Sequence, residues 1–406
     1  MTGGAGRWAV PLVRPDLPSF AELAPGIERI VGSGMLTKGA VLEAFEADVS
    51  AATGCRHAIA VSSCTVGLAI VLRSLAAVAD RRRAGCDAAC HAGAGCAAAA
   101  HTRTEVIVPS FIFLAAPAAI VWAGLEPVFV EVDPANYTID PVAVERAIGE
   151  RTAAILACHT FGCPCDMDAL EAISRRTGVP LIVDAAHGLG TLDRGRQVGA
   201  GGLAQVFSLS PTKLVVAGEG GVVVTSCDCL ADLVRMGREY GNDGRYGSRL
   251  PGLNGRMPEI SAHLARASLA RLDDVAARRG AAVAAYRDEL RDLPGISLQE
   301  IPAAARSSWK DFTIAIDPAR CGIDRQALHA CLADEGIETR AYYSPCCHRM
   351  EAFAGFLRPG QSLPITERLA DTVLALPLGV HVTPEVARSV AGRIRAAVAA
   401  RPAVLR

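Results

Sequence analysis

Lysine is the residue that this sequence lacks most. Of its 41 basic residues only three are lysines, namely Lys38, Lys213 and Lys310, and the others are arginines. An arginine side chain stays charged and cannot form an imine with an aldehyde, whereas a lysine amine can. We therefore expect at least one of these lysines to carry chemistry that arginine cannot perform.

The sequence also has no excess of positive or negative charge. The 41 basic residues are balanced by 42 acidic ones, and this near-zero balance argues against a nucleic-acid partner. An export signal is not expected, because Pro11, Pro15 and Pro18 follow the first residues where an apolar segment would stand. We expect a cytoplasmic protein whose 14 cysteines stay reduced rather than forming a disulfide framework.

One uncharged run resembles a membrane span at first sight. Residues 106–125 carry no charge over a length that fits a bilayer. Pro109 and Pro117 interrupt the run, and no basic cluster marks a cytoplasmic side. We predict a buried strand followed by a buried helix, and no membrane partner.

Short apolar runs alternate with amphipathic helices, which predicts an α/β fold. A chain of 406 residues has room for two or three domains of about 150 residues each. The alternation predicts a large domain over residues 10–258, built on a mostly parallel sheet with helices on both faces. In such sheets, ligands bind at the carboxyl ends of the strands. The strand-like runs are residues 105–109, 127–132, 153–158, 180–184, 204–208 and 221–225.

The pattern changes after residue 258. Residues 259–279 are typical of one long helix that continues through residue 293. A predicted strand at 311–316 and predicted helices at 325–335 and 384–400 follow it. We predict a smaller α+β domain over residues 259–406.

A low-complexity insert interrupts the first domain at about residues 80–104. It is rich in Ala, Gly, Cys and Arg, and it contains potential zinc ligands at Cys86, Cys90, His91 and Cys96. Their spacing matches no paired C-x-x-C arrangement, which favours a surface loop. We predict no metal site in this chain.

Lys213 lies in the segment FSLSPTKLVVAGEGG, residues 207–221. It follows a predicted strand, within a Ser/Pro/Thr turn and ahead of a Gly-Glu-Gly-Gly loop. A solvated surface lysine is the alternative interpretation. In a chain with so few lysines, an imine-forming nucleophile is favoured.

An acid and a histidine lie in the segment LIVDAAHGLG, residues 181–190. Asp184 ends a predicted strand, where a carboxylate would hold a heterocyclic nitrogen protonated, as a pyridoxal cofactor needs in order to act as an electron sink. His187 could hydrogen-bond the phenolic oxygen of such a cofactor. The alternatives are a helix N-cap for Asp184 and a core histidine for His187.

Two further segments carry weaker signals. VSSCTVGL, residues 61–68, opens a helix whose backbone N–H groups and hydroxyls suit a phosphate, although any capped helix looks similar. PSFIFLAA, residues 109–116, places an aromatic ring at a strand end, where it stacks on a planar cofactor or packs in the core. A Walker A lysine and a G-x-G-x-x-G after a strand are both missing, which argues against other nucleotide-binding folds.

Taken in order, SSCT, PSFIF, VDAAH, SLSPTK, GEGG and GLNGRM resemble the DegT/DnrJ/EryC1/StrS family of pyridoxal-phosphate (PLP) aminotransferases. The likeness runs from about residue 11 to the last helix and leaves out only the insert. It implies fold type I of the PLP-dependent transferases, as in aspartate aminotransferase. It also implies pyridoxal 5'-phosphate as the cofactor and a homodimer with shared active sites.

The resemblance implies a role for each matching residue. Lys213 would be the Schiff-base lysine and proton shuttle, Asp184 would pair with the pyridinium nitrogen, and His187 would lie near the ring oxygen. Phe113 would stack on the cofactor ring. Cys64, Thr65 and Ser208 would hold the phosphate, together with Asn254 of the partner subunit.

Three positions depart from the family pattern. Cys64 stands where glycine is commoner, Ser210 where many relatives have histidine, and Ile112 where many have threonine. These changes fall on contacts around the cofactor. Lys213 itself is intact, whereas one branch of the family replaces this lysine with histidine and carries out dehydration.

The resemblance implies amino transfer from L-glutamate or L-glutamine to a keto group of a nucleotide-linked (dTDP or NDP) deoxysugar, in amino-sugar biosynthesis. Candidate contacts for the diphosphate are Arg238, Arg245, Arg249 and Arg340. A keto-cyclitol or the precursor of an aromatic amino acid is an alternative acceptor. A non-catalytic PLP-binding regulator is the alternative from another class.

Overall fold

The structure is a computed structural model that describes residues 8–83 and 103–400. The predicted loop with Cys86, Cys90, His91 and Cys96 lies outside the described residues. Among the described residues, no group of three or more His, Cys, Asp or Glu side chains could hold a metal ion. No helix in this part of the chain is both long and apolar enough to cross a membrane.

Seven strands form a central sheet. The strands of the first part of the chain are β1 (His57–Val61), β2 (Glu105–Pro109), β3 (Glu126–Val130), β4 (Thr152–Cys158), β5 (Leu181–Asp184), β6 (Leu192–Asp193), β7 (Arg196–Gln197), β8 (Ala204–Ser208) and β9 (Gly221–Thr225). The sheet order is β1-β9-β8-β5-β4-β2-β3. Strand β9 runs antiparallel to both of its neighbours, and the other pairs are parallel.

Helices cover this sheet on both faces. They are α1 (Phe20–Ser33), α2 (Ala40–Thr53), α3 (Cys64–Arg73), α4 (Leu75–Arg83), α5 (Ala115–Trp122), α6 (Pro141–Ala147), α7 (Met167–Thr177) and α8 (Asp228–Gly237). Val206 of β8 packs into a core cluster with α3 and α8, while its neighbour Phe207 packs into another cluster with α2. Burial on both faces explains why these strands are continuous apolar runs.

The predicted α/β fold with a mostly parallel sheet is confirmed. Strands β2, β8 and β9 have the predicted bounds, and α7 begins after Asp166, whose carboxylate accepts from Ala169 N at 3.0 Å as an N-cap. Strand β1 was not predicted. It lies at the edge of the sheet and leads directly into the start of α3, so it places Cys64 at the carboxyl end of the sheet.

The second part of the chain contains a smaller antiparallel sheet. Its elements are α9 (Glu259–Leu269), α10 (Leu272–Leu290), β10 (Ile296–Leu298), β11 (Ala305–Arg306), β12 (Phe312–Ile316), α11 (Pro318–Cys321), α12 (Arg325–Asp334), α13 (Pro364–Thr372), β13 (Val373–Leu376) and α14 (Pro384–Ala399). Strands β10, β12 and β13 pair in that order. Helices α10, α12 and α14 bury side chains against this sheet.

The prediction of one continuous helix from residue 259 to 293 was wrong. The helix breaks between α9 and α10, where Arg271 has φ −103° and ψ 3°. Arg271 donates to Asp16 at 2.9 Å, and Asp273 and Asp274 lie in the first turn of α10. Acidic residues are favourable at a helix N-terminus, so they support a new helix start without a glycine or proline.

Residues 10–12 contact the second part of the chain. Val10 N donates to Gly336 O at 3.1 Å, and Leu378 N donates to Leu12 O at 2.9 Å, so residues 10–12 contact the C-terminal part. Strand β11 pairs with β6, which joins the two parts beside the carboxyl end of the central sheet. The domain bounds 10–258 and 259–406 stay a prediction.

Candidate active site

Three predicted residues come together at the carboxyl end of the central sheet. Asp184 is the last residue of β5, Ser208 is the last residue of β8, and Cys64 begins α3. Asp184 pairs with Val206 of β8, and Ser208 pairs with Gly221 of β9. The site therefore lies at the edge where ligands bind in open α/β sheets.

Asp184 is a buried acid with few partners. One of its oxygens, Oδ1, accepts from Ala186 N at 2.9 Å and from the Cys64 thiol at 3.8 Å. Burial raises the pKa of the Asp184 carboxyl, while the Ala186 N–H, the positive charge of Lys213 and the Cys64 thiol oppose this rise. Such a carboxylate is stabilised further by any cation or protonated ring nitrogen placed next to it.

Cys64 supports the acid without being a nucleophile. Its thiol also contacts Val206 O at 3.4 Å. Burial raises the pKa of the Cys64 thiol well above its usual value, and the charge of Asp184 adds to this effect. The thiol is therefore protonated at neutral pH and acts as a donor.

Lys213 follows β8 in a turn, in which Lys213 N donates to Ser210 O at 3.0 Å. Burial lowers the pKa of the Lys213 amine to about 8, and the positive charge of Lys310 lowers it further. Asp311, Asp184 and Cys64 oppose this effect. A lysine with such a pKa has a sizeable neutral fraction near neutral pH, which suits a nucleophile or a base.

His187 is held as a neutral ring. Its Nδ1 accepts from Phe161 N at 3.2 Å, so the proton of the neutral ring is on Nε2. Burial lowers the pKa of His187 well below its usual value, and the charges of Lys213 and Lys310 add to the shift. His187 therefore has an N–H to donate to a ligand oxygen.

A stack of aromatic rings forms the wall next to His187. Phe161 has a positive φ of 58° and lies parallel to His187, with centroids 6.4 Å apart. Tyr343 also stacks on Phe161, with ring centroids 5.3 Å apart. Phe161 and Tyr343 could not be predicted as site residues, because they come from distant parts of the chain and no motif marks them.

The start of α3 forms a tight backbone cradle. Ser63 Oγ accepts from Val66 N at 3.1 Å and caps the helix. A Cβ added at Gly221 would lie 2.5 Å from Cys64 N, so only glycine lets β9 approach this helix start. Thr65 lies in the first turn of the helix and is half-buried. Backbone N–H groups at a helix N-terminus suit a phosphate group.

Phe113 does not pack in the core. It is 52% exposed, and its ring lies 6.4 Å from that of Tyr343. Its neighbour Phe111 is the core residue, fully buried against Tyr137, Phe161 and Tyr343. The exposure of Phe113 beside the aromatic wall is compatible with a ring that covers a planar ligand.

Asn254 lies in the loop between α8 and α9. It is exposed, and its loop is fixed by Ser62 N, which donates to Gly255 O at 2.8 Å. Among the contacts of the described residues, its side chain makes none with Asp184 or Lys213. A role toward the partner subunit's cofactor, which the resemblance implies, stays a prediction.

Three of the four candidate arginines pair with acids within the chain. Arg238 donates to Ala60 O at 2.7 Å and pairs with Glu46, and it is largely buried, so it holds α2 and β1 together. Arg340 pairs with Glu338 at 3.1 Å. Arg249 lies on an exposed loop, where its Nε is 3.9 Å from Asp243 Oδ2, and Arg245 lies on the same loop.

The residues that come together fit pyridoxal 5'-phosphate. The buried carboxylate of Asp184 suits a protonated ring nitrogen, the Nε2 proton of His187 suits a phenolic oxygen, and the amine of Lys213 suits an aldehyde. The cradle that a Cβ at Gly221 would fill suits the phosphate.

A family model agrees with this arrangement over most of the chain. The model of the DegT/DnrJ/EryC1/StrS aminotransferase family matches residues 21–395. The chain belongs to this family. It is therefore a PLP-dependent aminotransferase with fold type I.

Two curated relatives are similar over nearly their whole length. The chain is 37% identical to the erythromycin biosynthesis sensory transduction protein EryC1 of Saccharopolyspora erythraea, over 93% of this chain and 97% of the relative. It is also 37% identical to the dTDP-3-amino-3,4,6-trideoxy-alpha-D-glucose transaminase of Streptomyces venezuelae, over 89% of this chain and 88% of the relative.

Solved structures of family members superpose closely. DesI in the presence of its TDP-sugar product matches with a TM-score of 0.85 at 36% identity, over 98% of this chain and 95% of DesI. DesV from S. venezuelae in complex with a ketimine intermediate matches with a TM-score of 0.83 at 35% identity, over 96% and 98% of the two chains. Fold and cofactor class therefore agree with the predictions.

Proposed function

We propose that this aminotransferase moves an amino group from L-glutamate or L-glutamine to the keto group of a nucleotide-linked deoxysugar, in amino-sugar biosynthesis. The observation that carries this proposal is the Lys213 amine, whose pKa is lowered to about 8 within a group that includes Asp184 and His187. The acceptor class is supported by two relatives, one named as a dTDP-sugar transaminase and one solved with its TDP-sugar product.

Each side chain of this group has a distinct task. When bound, pyridoxal phosphate supplies an electron sink for the amino group's carbon. Asp184 would hold the proton on the ring nitrogen, and the Nε2–H group of His187 would donate a hydrogen bond to the ring oxygen. Lys213 would hold the cofactor through its amine and would move the proton at the substrate carbon.

The phosphate and the ring are held by the remaining predicted residues. We assign the phosphate to Cys64, Thr65 and Ser208 at the start of α3 and the end of β8, and the exposed ring of Phe113 to the cofactor face. Because Asn254 lies on an exposed loop, we assign it to the cofactor phosphate of the partner subunit in a homodimer. A cytoplasmic location is part of the same proposal.

The diphosphate of the acceptor needs cationic contacts. Arg245 and Arg249 lie on the exposed loop that precedes Asn254, and we assign the diphosphate to them. Arg238 is no longer a candidate, because Glu46 and the Ala60 carbonyl already occupy its guanidinium. A keto-cyclitol acceptor has no diphosphate and would not depend on either loop arginine.

The test is an acceptor assay with the full chain and PLP. dTDP-linked keto-deoxysugars and a keto-inositol are each incubated with L-glutamate or L-glutamine, and mass spectrometry detects exchange of the carbonyl oxygen for an amine. We expect amination of a dTDP-sugar and none with the Lys213→Ala variant. Amination of the keto-inositol alone would overturn the acceptor class, and normal activity of Lys213→Ala would overturn the mechanism.

A further inference from the structure

A hydroxyl, an imidazole and a carboxylate form a chain of hydrogen bonds that has no task in the proposed function. Ser110 Oγ lies 2.7 Å from His348 Nδ1, and His348 Nε2 lies 3.2 Å from Glu367 Oε1. Ser110 follows β2, His348 lies in the loop between α12 and α13, and Glu367 lies in α13. We call these three residues the Ser-His-Glu relay. It joins the end of a central strand to the second part of the chain.

The direction of each hydrogen bond follows from the partners of Glu367. Its Oε2 pairs with Arg349 at 2.6 Å. Desolvation raises the pKa of the Glu367 carboxyl, but the hydrogen bond from His348 and the charge of Arg349 outweigh it, so this pKa lies below its usual value. An ionised carboxylate only accepts, so the proton of the neutral His348 ring is on Nε2. His348 Nδ1 then accepts from the Ser110 hydroxyl.

The same order of hydroxyl, imidazole and carboxylate activates the nucleophile of serine hydrolases. Ser110 cannot serve in that way, because it is fully buried and no substrate reaches its hydroxyl. Its oxygen also accepts from His348 N at 2.9 Å. A satisfied buried network of this kind fixes the segments that it joins.

The relay fixes the segment that carries Phe113. Cys347 N donates to Ser110 O at 3.0 Å, and the Cys347 thiol donates to Ile112 O at 3.2 Å. Together with the relay, these contacts hold the segment at three atoms directly before Phe113. The Phe113 ring itself is more than half exposed, and its centroid lies 6.4 Å from that of Tyr343. Its position therefore depends on how firmly the backbone before it is held.

The other end of the relay is anchored to the central sheet. Glu131 directly follows β3 and accepts from Ile365 N at 3.0 Å and from Thr366 N at 2.8 Å. It thus caps the start of α13, the helix that carries Glu367. The relay therefore runs between two anchored elements.

We infer that Ser110, His348 and Glu367 are positioning residues that hold Phe113 against the face of the cofactor ring. When the relay is broken, Phe113 stays in the chain but populates positions away from the ring, so the affinity for PLP falls. The inference rests on the proposed function for the place of Phe113. It does not depend on the amino donor or on the acceptor.

The test is a double-mutant cycle on PLP affinity, measured by fluorescence titration of the full-length cofactor-free chain. Phe113→Ala removes the ring and should weaken PLP binding by about tenfold. Ser110→Ala breaks the relay and should weaken binding by about threefold to tenfold. In the Phe113→Ala background, Ser110→Ala should cause a further loss of less than about twofold, because the relay acts through Phe113.

His348→Gln breaks the relay at a second place. A glutamine amide can reach Glu367 in the place of Nε2 but has no acceptor in the place of Nδ1, so we expect the same loss of affinity and the same dependence on Phe113. Ser174→Ala is the matched control, because the Ser174 hydroxyl is also buried and donates to Val179 O at 2.6 Å. This control should leave PLP affinity unchanged.

Hydrogen exchange of the cofactor-free chain gives a readout that needs no ligand. In Ser110→Ala and His348→Gln, peptides that contain residues 110–114 should exchange at least about threefold faster than in the natural sequence. Peptides from β8 should keep their protection, which shows that the variants fold. Faster exchange over the whole chain in both variants would overturn the inference, since the relay would then support the fold rather than one segment.

Two results of the affinity cycle would also overturn the inference. One is an unchanged PLP affinity in Ser110→Ala, and the other is a loss of equal size with and without the Phe113 ring. The cycle uses neither donor nor sugar, so a chain that aminates only a keto-inositol can still have the expected dependence. Full PLP affinity in Phe113→Ala would remove both the assigned place of Phe113 and this inference, and it would leave the role of Lys213 intact.

Discussion

At the scale of single residues, burial of the Lys213 amine destabilises the folded cofactor-free chain whenever that amine is protonated. Its pKa in the folded chain is about 8, below its ordinary value of 10.5. The free-energy cost is therefore full below pH 8, shrinks as the pH rises from 8, and is gone above the ordinary value. An uncharged side chain at this position carries no such cost.

We predict that Lys213→Met stabilises the cofactor-free chain at pH 7. The free energy of unfolding should increase by about 1 to 3 kcal/mol, because the substitution removes a partly buried charge. Urea unfolding at pH 7 and pH 10 measures this, and the gain should be smaller at pH 10. A stability gain of equal size at both pH values would mean that the charge of Lys213 does not destabilise the folded chain.

Asp184 offers a second prediction at this scale. Asp184→Asn keeps the size of the side chain but cannot hold a proton on a ring nitrogen, so kcat should fall by about a hundredfold or more while PLP still binds. Asp168→Asn is the control, because Asp168 is an exposed carboxylate that pairs with Arg194. A kcat that is equally insensitive to both substitutions would exclude the assigned role of Asp184.

How far the site follows from the sequence depends on where each residue lies in the chain. Asp184 ends an apolar strand and Lys213 lies in the turn that follows another, so their place at the carboxyl edge of the sheet was predictable. Phe161, Tyr343 and Asp311 were missed because their contacts join segments far apart in the sequence. Lys310 was selected by composition alone, and only the structure places it next to Phe161.

At the scale of elements, strands buried on both faces were the most predictable parts. Strands β2, β8 and β9 have the predicted bounds because a continuous apolar run admits few alternative ends. The break between α9 and α10 was not predictable from periodicity, because neither Ala270 nor Arg271 disfavours a helix. It depends on the tertiary contact between Arg271 and Asp16.

The approach of β9 to α3 gives a prediction at this scale. A Cβ at Gly221 would lie 2.5 Å from Cys64 N and 2.7 Å from Ser63 C, and these backbone atoms cannot move away cheaply. We expect Gly221→Ala to cost about 1 to 3 kcal/mol of stability and to weaken PLP binding. Thermal unfolding and a PLP titration measure both effects.

Gly280 in α10 supplies the matched control. A Cβ added there meets no heavy atom within 4 Å, and alanine is the better helix former. Gly280→Ala should therefore raise stability by about 0.5 to 1 kcal/mol. A Gly221→Ala variant as stable as Gly280→Ala would contradict the tight cradle.

At the scale of the whole molecule, an apolar groove is the surface to which we assign the proposed homodimer contact. Thr65, Trp122, Leu250 and Leu253 line it, and Trp122 is 81% exposed. The groove thus connects the start of α3 with the loop of Asn254. We assign it to the dimer, because it contains Thr65 and adjoins Asn254, which we assign to opposite sides of a shared site.

We predict that Trp122→Asp gives a monomer with weaker PLP affinity. A charge in the centre of an apolar interface is costly, and separation removes the contribution of the partner subunit's Asn254. Light scattering after size-exclusion chromatography measures the oligomeric state. Val142→Asp is the control, because Val142 is an exposed residue of α6. A Trp122→Asp variant that stays dimeric would place the interface elsewhere.

The central claim is that the Lys213 amine binds PLP and supports amino transfer from an amino acid. The most direct measurement is the absorption spectrum of the full chain with PLP, before and after addition of L-glutamate and then L-glutamine, together with borohydride trapping and peptide mapping. We predict a visible band that one donor abolishes, and trapped cofactor on Lys213. A band that neither donor changes, or cofactor trapped on Lys38 or Lys310, would contradict the claim.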